Sequence, residues 1–399
     1  MLVSTRIPRP MVRLSVLLIC SLSIGACSAH RGAASGETSK NAPHEKAAAI
    51  HELPDPFRSA DGSLVATPKD WTARRAEIQS LIQEFEYGHL PARPEVLEVL
   101  REAPAEDAAA GIVRQNLRVR MEHDGKRFEL PVALVIPSKA NGKVPVLVRG
   151  VTKFNAPPPA GQPLPDDVGM WIARGYAVAE FEFPAVAADR KEPPKAGGLY
   201  DLYGETDCGV LMAWAWGFSR AIDGVVTVPG IDASKIAVTG HSRYGKAALL
   251  AGAFDERIAL TAPSHSGAAG TAPYTIVYGD SETLEKIVAY APHWFTPKFS
   301  RFIGHVDKMT FDQNLVRALV APRGQLSTEG LQDRWANPQG SQIAYLSAKK
   351  VYEFLGAPDK ISIRFRPVAH ITTDQDVLEF ADYLFFNRPL SPEFGKLAC

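Results

Sequence analysis

Lys235-Ile-Ala-Val-Thr-Gly-His-Ser-Arg-Tyr-Gly-Lys-Ala-Ala-Leu-Leu-Ala-Gly-Ala253 changes character in its middle. Lys235 to Thr239 reads as a buried-type strand, Gly240 as a sharp turn, and Gly245 to Ala253 as a helix. A serine in such a turn, Ser242, is lifted above the sheet edge, and the first N–H groups of the following helix point at whatever its hydroxyl attacks. The same position also suits a helix N-cap, because a serine oxygen accepts from those N–H groups. The rest of the chain has to decide between nucleophile and cap.

The 399 residues are 46% hydrophobic and 22% charged, the make-up of an ordinary globular protein with a sizeable core. Lysine plus arginine equals aspartate plus glutamate, 44 each, so there is no basic field for nucleic acid and no acidic tail for a basic partner. The 31 prolines gather in loops such as Asn155–Ala160 and Lys191–Lys195.

Arg6, Arg9 and Arg13 precede the apolar run Leu14–Ile24, which is a basic segment and a hydrophobic segment too short for a comfortable membrane span. The run ends Leu22-Ser-Ile-Gly-Ala-Cys27, similar to the lipobox of bacterial lipoproteins. Residues 1–27 are therefore expected to be a signal peptide with lipidation at Cys27, ordinary cleavage nearby being the alternative. Residues 28–50 carry no periodicity and read as a tether reaching roughly 25 Å. Residues 51–399 follow as one catalytic domain. The protein is expected to be exported, periplasmic or held at the outer membrane by its lipid, and monomeric. Cys208 and Cys399 complete the cysteines; no metal spacing exists, and a bond between these two remains open.

Trp71–Tyr87 has the apolar spacing of an amphipathic helix. Ile112–Glu122 and Lys126–Ile136 pair as strands across Glu122-His-Asp-Gly125. Strands are then expected at Val144–Gly150, Tyr176–Phe183, Lys235–Thr239, Ile258–Pro263, Arg317–Ala321 and Ile361–Phe365. Helices are expected at Met170–Gly175, Gly209–Asp223, Gly245–Ala253 and Asp376–Phe386. Antiparallel strands followed by β–α alternation predict an α/β fold with a mostly parallel central sheet and helices on both faces.

A serine hydroxyl needs a base, and the base needs a carboxylate to orient it. The strand–turn–helix around Ser242 resembles the nucleophile elbow of α/β-hydrolases, although position 244 is tyrosine and the second glycine arrives one residue late, at Gly245. That resemblance implies a chain order of serine, acid, histidine. His370 follows the last strand and is the expected base. The stretch Arg317–Pro338 offers two carboxylates, and Asp333, before the turn Ala336-Asn-Pro338, is preferred to Glu329, the alternative acid. His241 is expected to point away from the nucleophile.

Gly240-His-Ser-Arg-Tyr-Gly-Lys246 resembles the signature of glucuronoyl esterases, carbohydrate esterases that cleave the ester between 4-O-methyl-glucuronic acid on xylan and lignin alcohols. Asp207–Asp223, Ser264–Gly267, Pro292–Phe295 and Asp333–Trp335 add to the likeness, which spans roughly residues 60 to 390. The resemblance implies Ser242 as nucleophile, His370 as base and Arg243 in the oxyanion hole. It implies Lys246, Trp335, Trp294 and Glu282 as substrate contacts, with no metal or organic cofactor. His265 stands where many members carry their catalytic glutamate, which moves the acid to the later position. Another serine esterase, such as an acetyl-xylan esterase, and a non-catalytic carbohydrate-binding lipoprotein remain the alternatives.

Overall fold

The computed structural model describes residues 47–154, 162–193, 195–372 and 374–398. The signal segment, Cys27, most of the tether and Cys399 lie outside the described residues. The strands in chain order are β1 (Ala47–Ile50), β2 (Val96–Arg101), β3 (Ala105–Asp107), β4 (Ile112–His123), β5 (Lys126–Pro137), β6 (Val144–Val151), β7 (Ala177–Glu182), β8 (Ile231–His241), β9 (Ile258–Ser264), β10 (Ile276–Tyr278), β11 (Gly324–Gly330) and β12 (Ile361–Arg366).

Ten of them form one sheet in the order β12-β11-β9-β8-β6-β7-β5-β4-β2, with β3 against β4. Strands β6, β7, β8, β9, β11 and β12 run parallel to their neighbours among themselves, and β5, β4, β2 and β3 add an antiparallel edge. The β4–β5 hairpin closes at Asp124 (φ 47°) and Gly125 (φ 71°), two successive left-handed residues of the kind that match the twist of a tight hairpin. Residues 47–50, assigned to the tether from sequence, instead pair antiparallel with β10.

The parallel strands are buried on both faces. On β6, Leu147 joins a core with Trp171, Tyr176 and Phe380, whereas Val146 and Val148 join a core with Phe181, Trp214 and Leu249. Side chains alternate across a strand, so this one run feeds two helical layers. Helices Asp166–Ala173 and Asp374–Phe386 cover the first face; Pro68–Ile82, Val210–Val225, Arg243–Phe254 and Pro338–Phe354 cover the second.

One expected strand is wrong. Arg317–Ala321 lies at the end of helix Gln313–Ala318, capped by Asp312, whose carboxylate accepts from Gln313 N at 2.7 Å. The strand is the polar run Gly324–Gly330, buried throughout. Several of its polar groups find partners there: Gln325 Nε2 donates to Arg317 O at 2.8 Å, Arg317 Nη2 to Ser327 Oγ at 2.9 Å, and Thr328 Oγ1 to Ser264 Oγ at 2.8 Å. Hydropathy favours the apolar run as the strand, and buried hydrogen bonding reverses that choice. The helix expected over Trp71–Tyr87 also ends early, at Ile82, and continues as a widened π turn, Gln83–Tyr87. Cys208 is a buried free thiol.

The π turn places Glu86 in the core, where its Oε1 accepts from Tyr274 Oη at 2.7 Å and Gln313 Nε2 at 2.8 Å. Burial raises its carboxyl from 4.5 to about 8 against those hydrogen bonds, with nearby Asp312 adding to the rise. A carboxyl raised by folding keeps its proton in the native state after the unfolded chain has lost it. Its contribution is therefore fully present below about pH 4.5 and lost as pH climbs to about 8. Glu86→Gln should flatten the fall in melting temperature across that window, measured by calorimetry; an unchanged slope would place the titration elsewhere.

Candidate active site

Five parallel strands end in loops at one edge of the sheet, and each loop delivers one polar group. Ser242 follows β8, His265 follows β9, Asp333 follows β11, His370 follows β12 and Asp189 lies beyond β7. The carboxyl edge of an open parallel sheet is where such folds bind ligands.

Ser242 adopts φ 58° and ψ −126°, a left-handed conformation that costs a non-glycine residue on the order of 1–3 kcal/mol. Its backbone is pinned by Ser242 N donating to Ser264 O at 2.9 Å and by Gly245 N and Lys246 N donating to Ser242 O at 2.9 and 3.1 Å. The helix thus opens at Arg243, leaving the N–H groups of 243 and 244 without an intrahelical acceptor. The serine side chain makes no cap bond, so the N-cap reading of the sequence fails. The late second glycine has a steric reason. A Cβ on Gly245 would stand 2.8 Å from Gly240 O, and one on Gly240 would stand 2.3 Å from Tyr244 O. The turn closes on itself through positions 240 and 245, which frees 244 for a tyrosine stacked on Phe183 at 4.4 Å.

Asp333 and His370 are brought together by extending the β11–β12 pairing past the sheet. Leu331 N donates to Arg366 O at 2.8 Å and Gln332 N to Val368 O at 3.0 Å. Gly330 permits this contact, since a Cβ there would meet Val368 O at 2.5 Å and His265 Cε1 at 2.6 Å. Arg366 grips Asp376 with two bonds of 2.6 Å and fastens the far side of the His370 loop. The result is a 2.6 Å bond between His370 Nδ1 and Asp333 Oδ2. His265 Nδ1 reaches the same oxygen at 3.0 Å. Burial opposes ionisation of Asp333, yet the hydrogen bonds from His265 and His370, and their charge, hold its carboxyl well below the usual carboxylate range.

Glu329 does not bond His370. It is the penultimate residue of β11, buried, with Thr271, Ser341, His265 and Arg317 around it, and burial raises its carboxyl to about 7. The alternative acid of the sequence thus lies within the strand, whereas Asp333 is the carboxylate that meets His370. His241, expected to point away, has its ring 4.3 Å from that of His370.

Ser242, Arg243, Lys246, His265, Glu282, Tyr290, Trp294, Trp335 and His370 line one cavity of about 210 Å³. Lys246, buried, donates its three N–H bonds to Ser266 O at 2.7 Å, to Ala268 O and to Glu282 Oε2 at 2.8 Å. Tyr290 Oη donates to the other oxygen, Glu282 Oε1. Glu282, Lys246 and Trp294, each expected as a substrate contact, line this one cavity, and Lys246 has already committed its donors. Trp294 lies under both cations, 5.3 Å from the Arg243 guanidinium and 5.9 Å from Lys246 Nζ. Trp335 is half exposed at the rim beneath Lys286.

Sequence reasoning missed Asp189 and Tyr290. Asp189 sits in a proline-rich loop with no motif around it, yet its Oδ2 accepts from Arg243 Nη1 at 2.7 Å, and its Oδ1 pairs with His293 Nε2 and accepts from Trp294 Nε1, both at 2.8 Å. Burial works against its charge, but His293, Trp294 and Arg243 together bring it down to about 2. A fixed anion therefore holds the arginine beside Ser242.

An elbow serine, a histidine on an acid and an arginine at the helix start, on an α/β-hydrolase sheet, define a serine hydrolase. Comparison with known proteins sharpens the class. The family model described as fungal glucuronyl esterase matches residues 119–356. A carbohydrate esterase from an unknown prokaryotic organism is 31% identical over 84% of this chain and 89% of its own. A 4-O-methyl-glucuronoyl methylesterase of Schizophyllum commune is 33% identical over 77% of this chain and 74% of its own. The solved glucuronoyl esterase of carbohydrate esterase family 15 from Caldicellulosiruptor kristjansonii superposes with a TM-score of 0.76 at 33% identity, over 87% of this chain and 94% of that one. The chain belongs to the glucuronoyl esterase family.

Two substitutions test the site. Asp333→Asn should lower kcat for ester hydrolysis by about 10³–10⁴-fold, because the wrong imidazole tautomer is then favoured, while Glu329→Gln should leave kcat/KM near wild type; the reverse ranking would reassign the acid. Asp189→Asn should cost about 10–100-fold in kcat/KM, the worth of one charge-assisted bond to Arg243, with the melting temperature little changed.

Proposed function

We propose that the chain is a serine esterase that hydrolyses glucuronoyl esters through an acyl-enzyme, with Ser242 as nucleophile, His370 as base and Asp333 as acid. The observation that carries the substrate assignment is the polar pocket of Lys246, Glu282 and Tyr290 one helical turn from the nucleophile. In a uronoyl ester the sugar is the acyl part, so its ring sits directly beside the scissile carbonyl. An acetyl ester would ask for a methyl-sized apolar slot there. The cavity, below the roughly 300–1,000 Å³ of clefts for larger ligands, has room for a single ring and leaves the alcohol outside.

In this reading His370 takes the Ser242 proton as Oγ attacks the carbonyl carbon. The oxyanion meets the N–H groups at the start of helix Arg243–Phe254 and the Arg243 guanidinium. Collapse of the tetrahedral intermediate expels the alcohol, protonated by His370. A water then attacks the acyl-serine by the same route and releases the free uronate. Asp333 holds His370 in the tautomer that leaves Nε2 able to accept a proton, and His265 anchors the same carboxylate. Lys246 fixes the Glu282 carboxylate, which with Tyr290 receives ring hydroxyls, and Trp335 offers a flat face at the rim for a sugar. Imidazole, carboxylate and guanidinium suffice for these steps.

The natural substrate in this proposal is glucuronoxylan esterified to lignin alcohols, acted on by a monomer. Residues 1–27 serve as a leader ending at the lipidated Cys27 and residues 28–46 as a tether, so that residues 47–399 work outside the cytoplasm on an anchor. The support is the basic and apolar pattern of Arg6 to Ile24 before Cys27. Among the described residues no helix is long and apolar enough to cross a membrane.

The test is turnover of the methyl and benzyl esters of 4-O-methyl-glucuronic acid beside an acetylated xylan, with Ser242→Ala as control. The uronate esters should be cleaved, with the two alcohols treated similarly, and the alanine variant should be inert. Cleavage of acetyl groups alone would keep the nucleophile and reject the substrate.

A further inference from the structure

The catalytic residues use one histidine, yet three converge. His241, His265 and His370 each present a ring nitrogen within 4.8 Å of the other two. Their rings lie 4.3, 5.6 and 5.8 Å apart, each carried on the end of a different parallel strand. Asp333 Oδ2 engages Nδ1 of both His265 and His370, which leaves Nε2 as the free ligand atom on each. The ester chemistry assigns a role to Nε2 of His370 only. The Nε2 atoms of His265 and His241 are buried and have no hydrogen-bond partner. Leaving two buried imidazole nitrogens unpaired costs free energy that a bound group would recover.

We propose that His241, His265 and His370 bind a divalent transition-metal ion of the zinc class, and that its occupancy switches the esterase off. A ligand set of imidazoles suits zinc, copper or nickel and not the oxygen-seeking calcium or magnesium. A carboxylate behind the Nδ1 of a ligating histidine is the usual way such ligands are oriented, and Asp333 does this for two of the three. Bonds of about 2.0–2.1 Å to one tetrahedral ion put nitrogens about 3.4 Å apart, so each ring has to move by on the order of 1 Å. His370, on an exposed loop, gives the ion a way in. Once its lone pair is in a metal bond, His370 no longer accepts the Ser242 proton. Binding and release exchange only the ion and water, with no change of oxidation state.

The inhibition half of this proposal rests on the esterase reading; the binding half does not. Metal-free protein is titrated with Zn²⁺ while hydrolysis of the benzyl ester is followed. Activity should fall to background and return on adding a chelator. His241→Asn should keep its activity and need at least about tenfold more Zn²⁺ for half inhibition, since it loses one of three ligands. His123→Ala, which removes the exposed Glu95–His123–Asp124 group as a competing site, should change nothing. Separately, Co²⁺ added to Ser242→Ala protein should give a saturable visible absorption band that is absent when His241→Asn is added; His241→Gln serves where the asparagine variant misfolds. Equal inhibition of wild type and the His241 variants, or no saturable cobalt band, overturns the site. A cobalt band without ester turnover would retain the site and reject the esterase.

Discussion

A single carboxylate oxygen, Oδ2 of Asp333, receives two imidazoles, His370 at 2.6 Å and His265 at 3.0 Å. Most of the loop architecture at this edge of the sheet serves that meeting. The β11 and β12 strands continue pairing through Leu331 and Gln332, Gly330 lets the two loops touch, and the Arg366–Asp376 fork holds the far end of the His370 loop. A carboxylate this well supplied with donors stays ionised although largely buried, and in the proposed mechanism that charge keeps His370 in one tautomer. The second histidine is the unusual partner. It occupies the position from which many relatives were expected to supply the acid, and it turns that position from a source of charge into a support for a charge placed elsewhere.

The other half of the site is organised around fixed cations. Arg243 is held by Asp189, and Lys246 is held by Glu282 and two backbone carbonyls, with Trp294 beneath both. Each positive group has a buried or half-buried anion as its neighbour, so a neutral ester enters a site that is polar yet nearly balanced in charge. Such preorganised dipoles need little rearrangement when negative charge develops on the reacting carbonyl oxygen. The strain at Ser242 is maintained by the closure between Gly240 and Gly245 and by its bond to Ser264 O.

Much of this was legible in the sequence because local rules and global fold agree there. The period change between Val238 and Ala247 marked the strand–turn–helix at Ser242, and chain order pointed to His370 and Asp333, which the folded loops bond to each other. What was not legible depended on burial that pattern alone does not report. Gly324–Gly330 is a polar run and yet a buried strand, where Gln325 donates to Arg317 O, Arg317 to Ser327 and Thr328 to Ser264. Asp189 and Tyr290 lie far in sequence from the residues they bond and carry no spacing signal. His265 was visible as a departure, but its purpose needs the distance to Asp333, and the turning of His241 toward His370 needs the loops as folded.

The most direct measurement of the shared carboxylate is low-field proton NMR of the imidazole N–H groups. Two slowly exchanging low-field signals are predicted, one from each Nδ1–H held by Asp333. Both should vanish in Asp333→Asn, and only one in His265→Gln, which should keep the His370 signal. A single signal in the native protein, or signals that survive loss of Asp333, would contradict the arrangement on which this account of the site depends.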